Sequence, residues 1–250
     1  MRYCPRLRTI QTIFADFFAL PQRFGLDNYI SAEKMVHILR ATANSLLLSA
    51  GSICLMLGVS IMGAYVTARK RIPGSEGVTL FLIAAMMIPI QSAIVPIVQM
   101  VSAIGQRNNL FVLMIIYAGI NLSMVFFILK GYIEGIPKEL DEAAMIDGCG
   151  TLRTYFMIVF PILKPTAITV AILNTMWIWN DYLLPTLILG SDPNIRTLPM
   201  AIQYLRGGYG AIDMGAMMAM IVLAIIPVVI FYLTCQKYII KGVVAGAVKG

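Results

Sequence analysis

The chain has 250 residues, of which 59% are hydrophobic and only 12% charged. A soluble domain is nearer 45–50% apolar and about 25% charged, and a globule of this size has too little interior to hide the excess. The composition therefore excludes disorder, collagen-like repeats and a disulfide scaffold. It favours a bundle of membrane helices, each needing about 20 apolar residues to cross roughly 30 Å of hydrocarbon.

The net charge of +7 does not point to nucleic acid, because the Lys and Arg residues sit mainly between apolar runs. Flanking cations of that kind are what membrane spans carry. Cys4, Cys54, Cys149 and Cys235 lie far apart, and Cys54 and Cys235 fall inside apolar runs. Neither a disulfide framework nor a metal site is expected of them.

In chain order, residues 1–40 hold no apolar run long enough to cross a bilayer. Asp16 interrupts the candidate stretch Ile10 to Leu20, which does not make a signal peptide either. Five stretches free of Lys and Arg follow: Asn44 to Val66, Val78 to Val101, Leu110 to Leu129, Thr166 to Leu189, and Met214 to Leu233. Arg69-Lys70-Arg71 and Pro73-Gly74 close the first as a charged stop and a turn. The second contains Pro89, Gln91 and Pro96 and is expected to kink, with freed carbonyls satisfied by neighbouring helices or water.

Basic residues set the expected orientation. The loop after the first span, the long loop after the third and the C-terminal tail lie on one side and hold ten Lys and Arg, against three in the two opposite loops. That places the long loop and the C-terminus in the cytoplasm and the N-terminus outside. The expected organisation is an extracytoplasmic segment over 1–40, a transmembrane domain over 41–240 with a cytoplasmic loop over about 131–164, and a cytoplasmic tail over 241–250. Arg2, Arg6, Arg8, Arg23, Lys34 and Arg40 conflict with an outside N-terminal segment. One further span ahead of them would remove the conflict.

Catalytic chemistry is scarce. His37 is the single histidine, so an HExxH zinc site is excluded and a Ser-His-Asp triad would have to use a position at a span boundary. No G-x-x-x-x-G-K-[ST] loop exists. An enzyme is not expected, no cofactor is expected in this chain, and energy-driven work would need nucleotide chemistry on a partner.

The long loop carries Gly135-Ile136-Pro137-Lys138-Glu139-Leu140-Asp141-Glu142-Ala143-Ala144-Met145-Ile146-Asp147-Gly148. Pro137 suits a first helical turn, the acids Glu139, Asp141 and Glu142 suit the positive end of a helix dipole, and Gly148 suits a stop. A cytoplasmic helix of about three turns, from about Pro137 to Asp147, is predicted. Two roles stay open for it: a solvated connector, or a helix that enters a groove on another protein.

Glu142-Ala143-Ala144, then Gly148, Ile158 and Phe160-Pro161 resemble the EAA loop of ABC-transporter permeases, with Phe160 where the pattern has leucine. Pro89-Ile90-Gln91, Trp177 to Tyr182, Arg196-Thr197-Leu198-Pro199, Gln236-Lys237-Tyr238 and Gly246 to Gly250 resemble the carbohydrate-importing branch. The likeness is to the second permease of maltose-type sugar importers, over roughly 25–250. It implies an all-α polytopic bundle of the ABC importer permease fold, with six spans where five are visible. Phe24 to Tyr29 looks like the segment after the first span, so that helix is expected to be missing.

The resemblance further implies residence in the cell (inner) membrane and three partners: a second permease, a cytoplasmic ATPase dimer that binds ATP, and an extracytoplasmic solute-binding protein. By the same resemblance Glu142, Ala143, Ala144, Asp147, Gly148, Ile158 and Pro161 couple to the ATPase. A channel or secondary transporter working without ATP, and a truncated nonfunctional permease, are the alternatives.

Gln91, Asn180 and Asp181 are the candidates for the solute pathway. A charge at the bilayer centre is disfavoured by about 2.5–3.5 kcal/mol on insertion scales, so Asp181 should face the bundle interior, water or a span end. Asn180 and Asp181 either line the pathway or hydrogen-bond neighbouring helices at a helix break beside Pro185, and the second reading is favoured. Trp177 and Trp179 stack on a sugar or, more commonly for such residues, pack at membrane depth. For topology, a thiol introduced by Asn194→Cys should label from outside sealed cells, and one introduced by Ser75→Cys only after permeabilisation. Outside labelling at position 75 would reverse the orientation.

Overall fold

A computed structural model describes residues 27–69, 73–190, 192–207 and 214–247. Among them the regular structure is helical throughout: α1 (Asp27–Val36), α2 (Ile38–Arg69), α3 (Ser75–Met86), α4 (Ile90–Ala103), α5 (Leu110–Glu134), α6 (Glu139–Ile146), α7 (Thr151–Asn180), α8 (Leu183–Leu189), α9 (Leu198–Gly207) and α10 (Met214–Ala247). The missing-span expectation and most of the 1–40 segment fall outside the described residues.

Among the described residues four helices are long and apolar enough to cross a membrane, and the bent pair α3–α4 makes a fifth candidate. The helices outrun the apolar stretches. The first begins at Ile38, and its 32 residues give about 48 Å of rod. The stretch expected from Thr166 to Leu189 is a helix already running from Thr151, which ends at Asn180 and resumes as α8. Charged and polar residues at its start hide that extension from a hydropathy reading. The connection expected over 131–164 thus narrows to residues 135–150, and the tail stays helical to Ala247.

The packing centre is α2 against α5, the most extensive interhelical contact, with α7 on the same side. Between membrane helices no hydrophobic force operates, so association depends on close approach of backbones past small residues. The buried face of α2 supplies them: Ala41, Ser45, Ser49, Ser52, Ser60 and Ala64. At Gly51 an added Cβ would fall 2.5 Å from Met114 Sδ of α5, so the Met114 side chain would have to shift. A second cluster closes the opposite end of the bundle, where Val36, Ile38, Trp179, Leu198, Ala201 and Met220 bring together α1, α2, α7, α9 and α10.

Each interruption has a local cause. Pro89 has no N–H and biases Ile88 away from helix, and α3 and α4 meet there at 101°. That is a sharper break than a kink, and α3 buries no residue of its own. In α7 one wide turn, Tyr155–Val159, precedes Pro161, and the Phe160 N–H reaches back to the Tyr155 carbonyl. The wider turn lodges a proline ring that a regular helix would reject.

Gly51→Val should overpack the α2–α5 contact and lower stability by about 1–3 kcal/mol. Gly58→Ala, whose added Cβ would meet nothing within 4 Å, should leave stability unchanged or raise it by up to about 1 kcal/mol. Unfolding of the purified protein in detergent would measure both, and equal effects would show that Gly51 is not a packing constraint.

Candidate functional site

Helix α6 and its flanks form one end of the bundle. Lys138 caps the helix and Pro137 stands just outside it, so the proline sets the turn into the helix and is not its first residue. The helix has eight residues, a little over two turns, with Glu139, Asp141 and Glu142 at its N-terminal end. The structure splits the alanine pair. Ala144 is buried against the protein's own bundle, whereas Ala143, Glu142, Asp147 and Gly148 face outward. Gly148 has φ +76°, the left-handed conformation that ends a helix and that side chains resist by roughly 1–2 kcal/mol. An added Cβ there would meet nothing of this chain within 4 Å. Ile158, half-buried, lies in the wide turn of α7, and exposed Pro161 follows it.

What holds α6 in place was not legible as a motif. Arg69, the last residue of α2, is 6% exposed, and its Nε lies 2.9 Å from Oδ2 of Asp141 in the first turn of α6. Its Nη2 donates to the Ile136 carbonyl at 2.7 Å. The Nε contact is an ion pair and not an aligned hydrogen bond, and Nη1 and Asp141 Oδ1 are buried without a hydrogen-bond partner. Removing one member of a buried pair costs about 3–5 kcal/mol, because the other charge is stranded. One turn earlier, the Tyr65 ring lies 5.1 Å from the Tyr155 ring of α7. In the sequence Arg69 belongs to a basic run that a membrane boundary explains, so its pairing with an acid 72 positions away gave no local signal.

The other end carries Asn180 and Asp181. Asp181 ends α7 with extended backbone (φ −72°, ψ 129°). Its Oδ1 accepts the Leu183 N–H at 2.9 Å, and its Oδ2 accepts the Tyr117 hydroxyl of α5 at 2.7 Å. One carboxylate thus closes the N-terminus of α8 and ties the break to the neighbouring helix. Asn180 is exposed and donates to the Met176 carbonyl of its own helix at 2.7 Å. Trp177, 42% exposed, meets the Tyr117 ring edge-on at 5.7 Å, whereas Trp179 is buried in the second cluster. Gln91 is exposed near the start of α4, away from the loop at the other end of that helix where Arg107 and Asn108 bond the α8 carbonyls of Leu187 and Ile188. Gln91 is therefore not brought together with Asn180 and Asp181.

Beside α8, the loop before α9 docks on the start of α2. Asn44 Nδ2 donates to the Asn194 and Arg196 carbonyls at 2.9 and 3.0 Å, and Ser45 Oγ accepts the Leu198 N–H at 2.8 Å. Arg196 is buried, with its guanidinium 4.1 Å from the Tyr204 ring centre. Among the described residues no group of His, Cys, Asp and Glu is arranged to hold a metal ion.

A helical bundle with a short outward-facing loop helix, a proline-broken span and a capped break at Asp181 can be compared with known proteins. Residues 57–244 match the binding-protein-dependent transport system inner membrane component family. The chain belongs to that family. A probable starch degradation products transport system permease protein, AmyC of Thermoanaerobacterium thermosulfurigenes, is 38% identical over 97% of this chain and 87% of its own length. The multiple sugar-binding transport system permease protein MsmG of Streptococcus mutans is 37% identical over 95% of this chain and 86% of its own. In fold, the chain resembles a bacterial ABC transporter involved in import of the acidic polysaccharide alginate, with TM-score 0.74 and 22% identity over 88% of this chain and 82% of that one. The protein is a multi-pass membrane permease of the ABC importer fold, as its loop motif implied.

Tyr117→Phe should leave Asp181 Oδ2 without its donor in a low-dielectric setting. We expect a loss of about 1–3 kcal/mol in detergent unfolding, while Asn180→Ala, which removes a bond within one helix, should cost less. Equal stability of the Tyr117 variant and the parent would show that the hydroxyl does not hold the break.

Proposed function

We propose that this permease is one of a pair that forms the membrane pathway for a carbohydrate or related solute in the cell's inner membrane. Helix α6 docks on a cytoplasmic ATPase, which binds and hydrolyses ATP, and an extracytoplasmic binding protein delivers the solute. Relatives named for starch degradation products and multiple sugars support the carbohydrate class. A solved alginate transporter of this fold in complex with a periplasmic protein bound to alginate pentasaccharide supports the binding-protein partner.

The observation that carries the docking role is the two-sidedness of α6. Its inner face is committed to the bundle through Ala144 and Asp141, whereas Glu142, Ala143, Asp147 and left-handed Gly148 form a continuous outward surface. A connector needs only the first of these. Small Ala143 and Gly148 permit close approach of a groove, and Glu142 and Asp147 give that surface negative charge for basic residues of the partner.

Reconstitution with the partner permease, ATPase and binding protein tests the proposal. Gly148→Asp should abolish ATP-driven uptake of starch-derived oligosaccharides while the subunit still inserts, because φ strain and added bulk act together. Glu142→Lys should reduce co-purification of the ATPase, and Glu76→Lys in the first turn of α3 should not. Normal co-purification and uptake by both α6 variants would return α6 to a solvated connector. Uptake that continues without ATP would favour a channel or secondary transporter.

A further inference from the structure

The last turn of α2 grips the chain on both sides of α6. Tyr65 and Arg69 are four residues apart and share one helix face. Arg69 reaches forward to the segment entering α6, through the Ile136 carbonyl, and to the first turn of α6 itself, through Asp141. Tyr65 packs on Tyr155, just after the chain leaves α6 and enters α7. A guanidinium can hold a carbonyl and a carboxylate together because its donors form a planar fork; an ammonium is a point charge and cannot span both. Both side chains are buried, so these contacts are not screened by solvent.

From that turn α2 runs unbroken to the opposite end of the bundle. There Asn44 and Ser45 hold the 194–198 segment, through the Asn194 and Arg196 carbonyls and the Leu198 N–H. One rigid helix therefore joins the α6 contacts to the loop before α9. The pair at Arg69 also stops short of saturation, with Nη1 and Asp141 Oδ1 unused.

We infer that Arg69 is a positioning residue for energy coupling: with Tyr65 it fixes α6 to the end of α2, so that displacement of α6 is delivered along α2 to the far end of the bundle. This rests on the reading of α6 as the ATPase-docking helix. Without Arg69 the displacement dissipates in the 135–150 connection, and the ATPase still binds through the outward face of α6.

The test uses the full reconstituted transporter in a cysteine-free background carrying Leu39→Cys, a 76%-exposed position at the far end of α2. Its labelling rate by a membrane-impermeant thiol reagent is measured with and without a non-hydrolysable ATP analogue, alongside ATPase co-purification. The parent should show a nucleotide-driven rate change of about fivefold or more, the usual scale of coupling between sites. Arg69→Leu should keep the ATPase and lose most of that change, and the exchange Arg69→Asp with Asp141→Arg should restore it in part. If Arg69→Leu fails to insert, Arg69→Lys decides: it keeps a cation without the fork and should still blunt the response. A full response in every inserted Arg69 variant overturns the inference, as does a parent with no response. If Glu142→Lys and Gly148→Asp leave both ATPase co-purification and uptake intact, the docking reading falls instead.

Discussion

Inside hydrocarbon, a backbone N–H or C=O without a partner costs several kcal/mol, so every interruption of a spanning helix must be closed chemically. The architecture of this permease follows from how it meets that constraint. At Asp181 the carboxylate supplies an acceptor for the Leu183 N–H that opens α8, and the Tyr117 hydroxyl donates to its other oxygen. At Pro161 the missing N–H is met by widening one turn of α7. Within intact spans some polar side chains turn back on their own helix, as Ser52 does to Leu48 and Asn174 to Val170. Such bonds satisfy a hydroxyl or amide without a partner helix.

The same physics explains what the sequence made legible. Apolar run length follows from bilayer thickness, so the positions of α2, α5, α7 and α10 could be placed from composition alone. Pro89 marked a disturbed span for the same reason. The magnitude of the bend was hidden, because a proline kink and a full break differ in tertiary support and not in local sequence. The ends of α2 and α7 were hidden too: each continues past its apolar run into charged residues, where no hydrocarbon constrains composition.

The candidate site divides in the same way. Glu142, Ala143, Ala144 and Gly148 formed a visible pattern, and the left-handed conformation at Gly148 was foreshadowed by glycine at a helix end. The opposite fates of Ala143 and Ala144 were not, since two adjacent small residues carry no sign of which one meets the bundle. Arg69 and Tyr117 escaped notice because each has an ordinary explanation in one dimension, a cation at a span end and an aromatic in an apolar run. Their importance is set by Asp141 and Asp181, which are distant in sequence and within 3 Å in space. Long-range pairing of this kind is invisible to periodicity.

The two routes that leave the α2–α3 turn differ in stiffness. A straight helix resists compression along its axis, so α2 behaves as a strut whose two ends must move together. The path through α3 and α4 has an elbow of 101° at Pro89, and α3, which rests against α5, buries no residue fully. A push entering that path is absorbed by opening or closing the elbow. The permease thus sets an unbroken helix and a bent pair next to each other in sequence. A displacement reaching both would be reproduced at a distance by the unbroken helix and taken up locally by the bent one.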